Sequence, residues 1–342
     1  MAVMQAVCGR LVARTGRPCR LAMKHLLSLE EVSAADMRDI LDSVPAFKAG
    51  RATHARPLAG QTWALIFSKS STRTRVSFEV GLREMGADVL FLNANDIQLG
   101  RGEPIRDTAR VLGRMLHGAV IRTFAQADVV EFARFSGIPT VNALTDDEHP
   151  CQILTDIHTF EEAAGERITG KVVTFVGDAA CNVPASWAFA AAKLGFELRM
   201  AAPRAYWPSP GLLRRAGVAS DCDWTARPGA MTERFTAGAG VIELIEDVRL
   251  AARRADLLYT DVWVSMGKEA EAAQRLRDLA GYQVNAELVA LAKPGVQVMH
   301  CLPAYRGKEI DDATMEAHAD TIFTEAENRL HVQKAIVAWM VR

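Results

Sequence analysis

Compact apolar runs alternate along this chain with longer stretches in which apolar positions recur every three or four residues. Thr62–Phe67, Asp88–Leu92, Ala119–Ile121 and Pro139–Asn142 are short runs bounded by polar residues and read as buried strands. Between them the period lengthens. From Thr72, Val76 and Val80, then Phe78, Leu82 and Met85, fall at helical spacing, and Asp107–Leu116 and Ala127–Phe135 read as further helices. A second series has strands at Lys171–Val176, Glu197–Ala201, Asp256–Tyr259 and Val296–His300, with a helix at Val183–Leu194. Pro150 opens a long helix to about Ala164, because proline is tolerated in a first helical turn. Ser28 with Glu31 fits a capping box, Ser33 with Asp36 offers a second helix start, and the pattern stays helical to about Phe47. Ala326–Met340 reads as a final helix, whereas Pro203–Thr236 mixes Pro, Gly and Trp without a readable period.

Strands that alternate with helices pair in parallel, with helices covering both faces. The expected fold class is therefore α/β, in two domains, each a parallel sheet covered by helices, joined by long helices. The expected boundaries are 23–150 for the first domain and 151–323 for the second. Residues 324–342 would form a helix returning to the first domain.

Composition narrows the picture. With 342 residues, two domains are expected at ~150 residues each. Lys plus Arg is 40 and Asp plus Glu is 41, and this balance argues against a chain-wide nucleic-acid or membrane-surface role. No apolar run is long enough to span a membrane. The six cysteines form no C-x-x-C pair, which fits reduced thiols in a cytoplasmic protein rather than a disulfide framework. No His/Cys/Asp spacing asks for a metal, and no cofactor is expected. Residues 1–22 hold four arginines and no acid, a bias shared by organelle transit peptides. With Ser28 the one Ser before Glu30, the stretch favours a disordered leader, or a folded protein beginning near Met23.

Five polar segments fall where a parallel sheet presents its ligands, just beyond the carboxyl ends of strands. Ser71-Thr72-Arg73-Thr74-Arg75 stands between a strand and a helix, where free N–H groups, hydroxyls and a guanidinium suit an anion. Arg122 lies one residue past a strand. His149-Pro150-Cys151-Gln152 offers an imidazole and an amide as donors to a carbonyl oxygen. Asp261–Gly267 follows a strand with an acid that could hold an ammonium group and a glycine that would let the loop move. His300-Cys301-Leu302-Pro303 closes another strand, with a cysteine that could be a nucleophile, a ligand or a packed residue.

Taken together, S-T-R-T-R, H-P-x-Q, D-x-x-x-S-M-G and H-C-L-P make the chain resemble the aspartate/ornithine carbamoyltransferase family from about Met23 to its end. The last two motifs resemble the ornithine branch. The resemblance implies carbamoyl transfer from carbamoyl phosphate to the δ-amine of L-ornithine, giving L-citrulline and phosphate, in arginine biosynthesis. It makes the first domain the carbamoyl-phosphate-binding one and the second the ornithine-binding one. Ser71, Thr72, Arg73 and Thr74 would hold the phosphate, Arg122 both phosphate and carbonyl oxygens, and His149 and Gln152 the carbamoyl group. Gln98 would come from a neighbouring subunit of a homotrimer with shared sites, while the Leu302 carbonyl and Arg329 would complete the pocket. Asn182 would bind the ornithine carboxylate, Asp261, Ser265 and Met266 its α-amino end, and Cys301 would lie near the side-chain amine. The resemblance thus makes Arg122, His149 and Cys301 the catalytic candidates. Cys181 stands where the family usually has the first of two asparagines, which weakens the support expected for Asn182. Tyr305-Arg306 replaces a frequent His-Arg, with little expected consequence.

Other readings are a carbamoyltransferase for putrescine or N-acetylornithine, and a non-catalytic ligand-binding relative. A dinucleotide-binding dehydrogenase fits poorly. Ala179 and Asn182 break the G-x-G-x-x-G pattern after Gly177, and the next strand ends without an acid.

Overall fold

The computed structural model describes residues 23–51, 56–93, 102–219, 222–227, 229–265 and 267–342. The first helix, α1 (Ala34–Ala49), is capped by Ser33, whose hydroxyl accepts from Asp36 N–H. The capping box expected at Ser28 does not form. The Ser28 hydroxyl is instead drawn into a buried contact with Glu148 and accepts from Glu30 N–H at 2.9 Å.

There follow β1 (Thr62–Phe67), α2 (Thr72–Glu84), β2 (Asp88–Asn93), α3 (Ile105–Leu112), β3 (Gly118–Arg122), α4 (Gln126–Ser136) and β4 (Thr140–Leu144). The four strands form one parallel sheet in the order β2-β1-β3-β4. Strand β1 is central and carries Trp63, Leu65 and Phe67 to one face and Ala64 and Ile66 to the other, each face in its own apolar cluster. A Cβ at Gly118 would lie 2.5 Å from the Trp63 ring, so glycine is required where β3 starts beside it. Arg122 is the last residue of β3 rather than one beyond it.

The long α5 (Pro150–Ala164) starts at the expected proline and is buried from Pro150 to Phe160. Beyond it lie β5 (Val172–Val176), α6 (Asn182–Leu194), β6 (Glu197–Ala201), α7 (Pro210–Arg215), β7 (Thr232–Ala237) and β8 (Gly240–Ile245). The chain ends with α8 (Val248–Ala252), β9 (Leu257–Thr260), α9 (Ala272–Asp278), α10 (Ala286–Val289), β10 (Gln297–His300), α11 (Asp312–Ala317) and α12 (Ala319–Val341). The second sheet runs β10-β9-β5-β6-β8-β7.

This sheet departs from the all-parallel expectation. Strand β7 pairs antiparallel with β8 through a tight turn in which Gly238 takes φ 54. A Cβ at Gly238 would also fall 2.5 Å from the Ala192 carbonyl oxygen. All but its last residue lies inside the stretch that carried no readable period, and its residues alternate exposed and buried as an edge strand does. Helix α12 starts at Ala319 rather than Ala326 and packs on α1, α2, α5 and β10, so it touches both sheets' layers. Among the described residues, no helix is long and apolar enough to cross a membrane, and Cys151, Cys181, Cys222 and Cys301 are free thiols.

Candidate active site

The carboxyl ends of β1, β3, β5, β9 and β10 turn toward one cleft, where a cavity of about 570 Å³ opens. Ser71, Thr72, Arg73, Thr74, Arg122, His149 and Arg329 line one side. Asn182, Asp261, Ser265, Cys301 and Leu302 line the other. The fold thus gathers twelve of the sequence's candidates around one space. Gln98, Met266 and residues 1–22 lie outside the described residues.

The first side is cationic, and Thr74, Arg122, His149 and Arg329 in it are buried. Ser71 caps α2, its hydroxyl accepting from Thr74 N–H at 3.2 Å, so it serves as a helix cap as well as a cavity wall. Thr74 Oγ1 accepts from Arg329 Nη2 at 2.8 Å and from Arg122 Nη1 at 3.5 Å. Burial, with Arg329 and Arg73 close by, brings the Arg122 guanidinium down to about 10. Arg122 Nε and Arg329 Nε have no hydrogen-bond partner. No carboxylate lies within ion-pair distance of Arg73, Arg122 or Arg329 among the described residues. Burial, then the charges of Arg329 and Arg122, hold His149 well below the usual imidazole range, so it is neutral near pH 7. Its Nδ1 is buried without a partner. These are groups that a multiply charged anion bearing a carbonyl would satisfy.

Gln152 stands apart from the other candidates. It does not line the cavity, and both ends of its amide are taken. Oε1 accepts from Arg329 Nη1 at 2.9 Å, while Nε2 donates to Asp156 at 2.7 Å and to Glu325 at 2.9 Å. In this conformation it supports Arg329 from behind rather than facing the space in which a ligand would sit.

On the second side the Cys301 thiol donates to Asp261 Oδ1 at 3.0 Å. Burial and the neighbouring Asp261 charge push that thiol well above its ordinary range, so it is a neutral S–H and not a thiolate nucleophile. Burial likewise raises Asp261. Asn182 starts α6, and its amide donates to the Thr145 carbonyl at 2.6 Å, tying the loop before His149 to the second sheet's layer. Leu302 takes φ 56, uncommon for a residue with a side chain, and its N–H donates to His300 Nδ1 at 2.9 Å. The His300 proton therefore sits on Nε2, which faces Glu309 at 3.2 Å.

Five charged lining residues escaped the sequence reading: Lys69, Asp146, Asp178, Lys268 and Arg275. Asp178 and Arg275 form a buried ion pair at 2.6 Å, and Lys69 pairs with Asp146. Only Asp178 had a local signal, since it follows Gly177 at a strand end; Arg275 reaches the site from α9, far along the chain. Glu148, just before His149, was also missed. Its carboxylate holds Ser28 Oγ, Leu29 N–H at 2.9 Å and Ser186 Oγ at 3.4 Å, and Ser186 Oγ in turn accepts from His149 N–H at 2.9 Å. Burial pushes Glu148 up to about 7. Although the sequence shows no metal spacing, the fold brings one ligand-type atom each of Asp261, His300 and Cys301 within 4.8 Å of one another. Both nitrogens of His300 and the Cys301 thiol are already engaged inside the protein.

Two family models match the chain. That of the aspartate/ornithine carbamoyltransferase carbamoyl-P binding domain covers residues 24–162, and that of the Asp/Orn binding domain of the same family covers 169–340. The ornithine carbamoyltransferase of Akkermansia muciniphila is 51% identical, covering 92% of this chain and 97% of its own length. The anabolic ornithine carbamoyltransferase structure from Campylobacter jejuni superposes with a TM-score of 0.83 at 36% identity, covering 93% of this chain and 99% of its own. The Pyrococcus furiosus ornithine carbamoyltransferase gives a TM-score of 0.81 at 41% identity, covering 93% and 97%.

Proposed function

We infer, because this chain belongs to the aspartate/ornithine carbamoyltransferase family, that it is an enzyme carbamoylating L-ornithine. It transfers the carbamoyl group of carbamoyl phosphate to the ornithine δ-amine, yielding L-citrulline and phosphate. The observation that carries this reading is the pairing, across one cavity, of an unneutralised cationic wall with a wall bearing Asn182, Asp261 and Cys301.

In the proposed chemistry Ser71, Thr72, Arg73 and Thr74 hold the phosphate, while Arg329 and the Leu302 carbonyl, an acceptor suited to the carbamoyl N–H, complete the carbamoyl-phosphate pocket. The neutral δ-amine attacks the carbamoyl carbon, the new C–N bond forms, and charge builds on the carbonyl oxygen. In this reading Arg122, neutral His149 and Thr74, which line the cavity together, donate to that oxygen. The C–O bond to phosphate then breaks, its electron pair leaves with the phosphate, and the surplus proton on the nitrogen passes to that departing phosphate. Holding the two substrates together is itself worth up to ~7–11 kcal/mol. Asn182 receives the ornithine carboxylate, and Asp261 with Ser265 and Met266 its ammonium. Cys301 lies beside the reacting amine as a neutral thiol. Gln152 acts on the carbamoyl group directly only if its amide is released from Arg329, Asp156 and Glu325.

The resemblance of Ile97-Gln98-Leu99-Gly100 supports a homotrimer in which Gln98 serves a neighbour's site. The balanced charge and the lack of any C-x-x-C spacing among the six cysteines support a cytoplasmic enzyme of arginine biosynthesis. The deciding experiment is an acceptor panel of ornithine, N-acetylornithine, putrescine and aspartate with carbamoyl phosphate. Citrulline formation from ornithine alone is expected, and turnover of another acceptor at an equal rate would refute the assignment. Subunit mixing tests the shared site: Gln98→Ala and Arg73→Ala chains, each inactive alone, should regain activity when exchanged.

A further inference from the structure

Behind the cavity, the two substrate sides are joined by a hydrogen-bond chain that none of the proposed substrate contacts requires. It begins at Thr74 Oγ1, which accepts from Arg329 Nη2, and passes through Arg329 Nη1 to Gln152 Oε1. Gln152 Nε2 donates to Asp156 Oδ1 and to Glu325 Oε1. Glu325 Oε2 then accepts from the His300 N–H at 3.0 Å, at the end of β10 and directly before Cys301 and Leu302. Every member of this chain is at most 3% exposed.

We propose that Glu325 is a positioning residue for carbamoyl transfer, one carboxylate oxygen fixing Gln152 and Arg329 and the other fixing the strand end that carries Cys301. The two substrate sides are thereby held in one register. This rests on the functional reading above.

Glu325 and Asp156 share a buried interior, with Arg329 on α12, Tyr259 on β9 and Cys301 beyond β10 as the charged or titratable groups facing them. Two carboxylates so placed do not both ionise; the pair keeps a proton. The donors distinguish the two acids. Both Glu325 oxygens and Asp156 Oδ1 each accept from a protein N–H, whereas Asp156 Oδ2 receives none. Asp156 thus keeps one oxygen where a hydrogen opposes no N–H, and Glu325 has none.

That difference separates two substitutions of equal charge and nearly equal size. In Asp156→Asn the amide nitrogen occupies the place of Oδ2 and supplies the missing hydrogen, while Oδ1 still accepts from Gln152. In Glu325→Gln the amide nitrogen must face either Gln152 Nε2 or the His300 N–H, a donor against a donor. The chain breaks on one side or the other.

The test is steady-state kinetics of the full-length chain with both substrates varied, together with melting temperatures. Asp156→Asn should keep kcat/KM within ~3-fold of wild type, and Glu325→Gln should lose at least ~10-fold, the scale of one buried donor left unpaired. The loss should fall mainly on kcat, because relative orientation rather than binding is disturbed. A purely structural role predicts shifted melting temperatures with an unchanged kcat. Equal kinetics for the two variants, whether both normal or both impaired, overturns the proposal. Should Glu325→Gln not fold, Glu325→Asp replaces it: the carboxylate is kept but one methylene shorter, and a wild-type kcat there likewise overturns the proposal. If the wild type itself makes no citrulline, the functional reading falls first; if it does and the variants match, this inference alone falls.

Discussion

On the Arg122 side of the cleft, Thr74, Arg122, His149 and Arg329 are all nearly sealed from solvent, and each is gripped by buried neighbours. On the Asp261 side, Asn182, Asp261, Ser265 and Cys301 are only half-buried, and Lys268 on the loop after Ser265 is exposed. The charges differ as well. The first side collects guanidinium groups that no carboxylate pairs, its acid Asp146 being held by Lys69, whereas the second pairs Asp178 with Arg275 and Asp261 with the Cys301 thiol. A site for a highly charged anion gains from fixed, desolvated donors, because reorganisation is already complete when charge develops. A site for a flexible amino acid that must enter and leave gains from a mobile edge.

The sharpest way to break this contrast is through the acceptor. If the Asp261 side is built for a free amino-acid head, an acceptor without one leaves Asn182 and Asp261 unpaired once the substrate covers them. Ornithine should exceed putrescine and N-acetylornithine by at least ~10³-fold in kcat/KM. Asp261→Asn should shrink that margin by harming ornithine far more than putrescine. Comparable turnover of all three would show that the second side confers no selectivity.

The cationic side is tested by Arg73→Ala. One preorganised donor lost should lower kcat/KM by at least ~10²-fold. A folded variant with unchanged kinetics would remove Arg73 from the phosphate site.

Glu148, which links the N-terminal segment, α6 and His149, sharpens the comparison by pH. Its carboxyl is raised to about 7 by burial, so folding favours the protonated form. That contribution is complete below the unfolded value near 4.5 and is lost as pH rises through about 7. At 1.36 kcal/mol per unit the swing is at most on the order of 3 kcal/mol. Glu148→Gln should therefore gain stability relative to wild type between pH 5 and pH 8, read as a growing difference in denaturation midpoint. A constant difference across that range would show that Glu148 does not change protonation on folding.

The smallest effect is expected at the leader. Deleting Met1–Ala22, which carries no motif, should leave kcat, KM and melting temperature essentially unchanged on either side of the cleft. A large fall in melting temperature would show that this stretch docks on the fold.

What the sequence determined by itself is what local physics can write in a few adjacent residues. Apolar runs became β1, β5 and β6, the proline-led α5 begins where expected, and polar segments at strand ends became the cavity wall. Each depends on period, capping or position relative to a strand end, and all of these are visible within a short window. The tertiary structure alone decided contests between distant groups. Ser28 could cap a helix or bind Glu148, and the buried carboxylate won. Gln152 could face a ligand or brace Arg329, and two acids from separate helices turned it inward. Asp261, His300 and Cys301 meet because β9 and β10 lie side by side, and Arg275 reaches Asp178 from a helix far along the chain. In each case the partner's identity depends on which strands become neighbours and on which hydrogen bonds water can no longer supply. No local stretch of sequence records either condition.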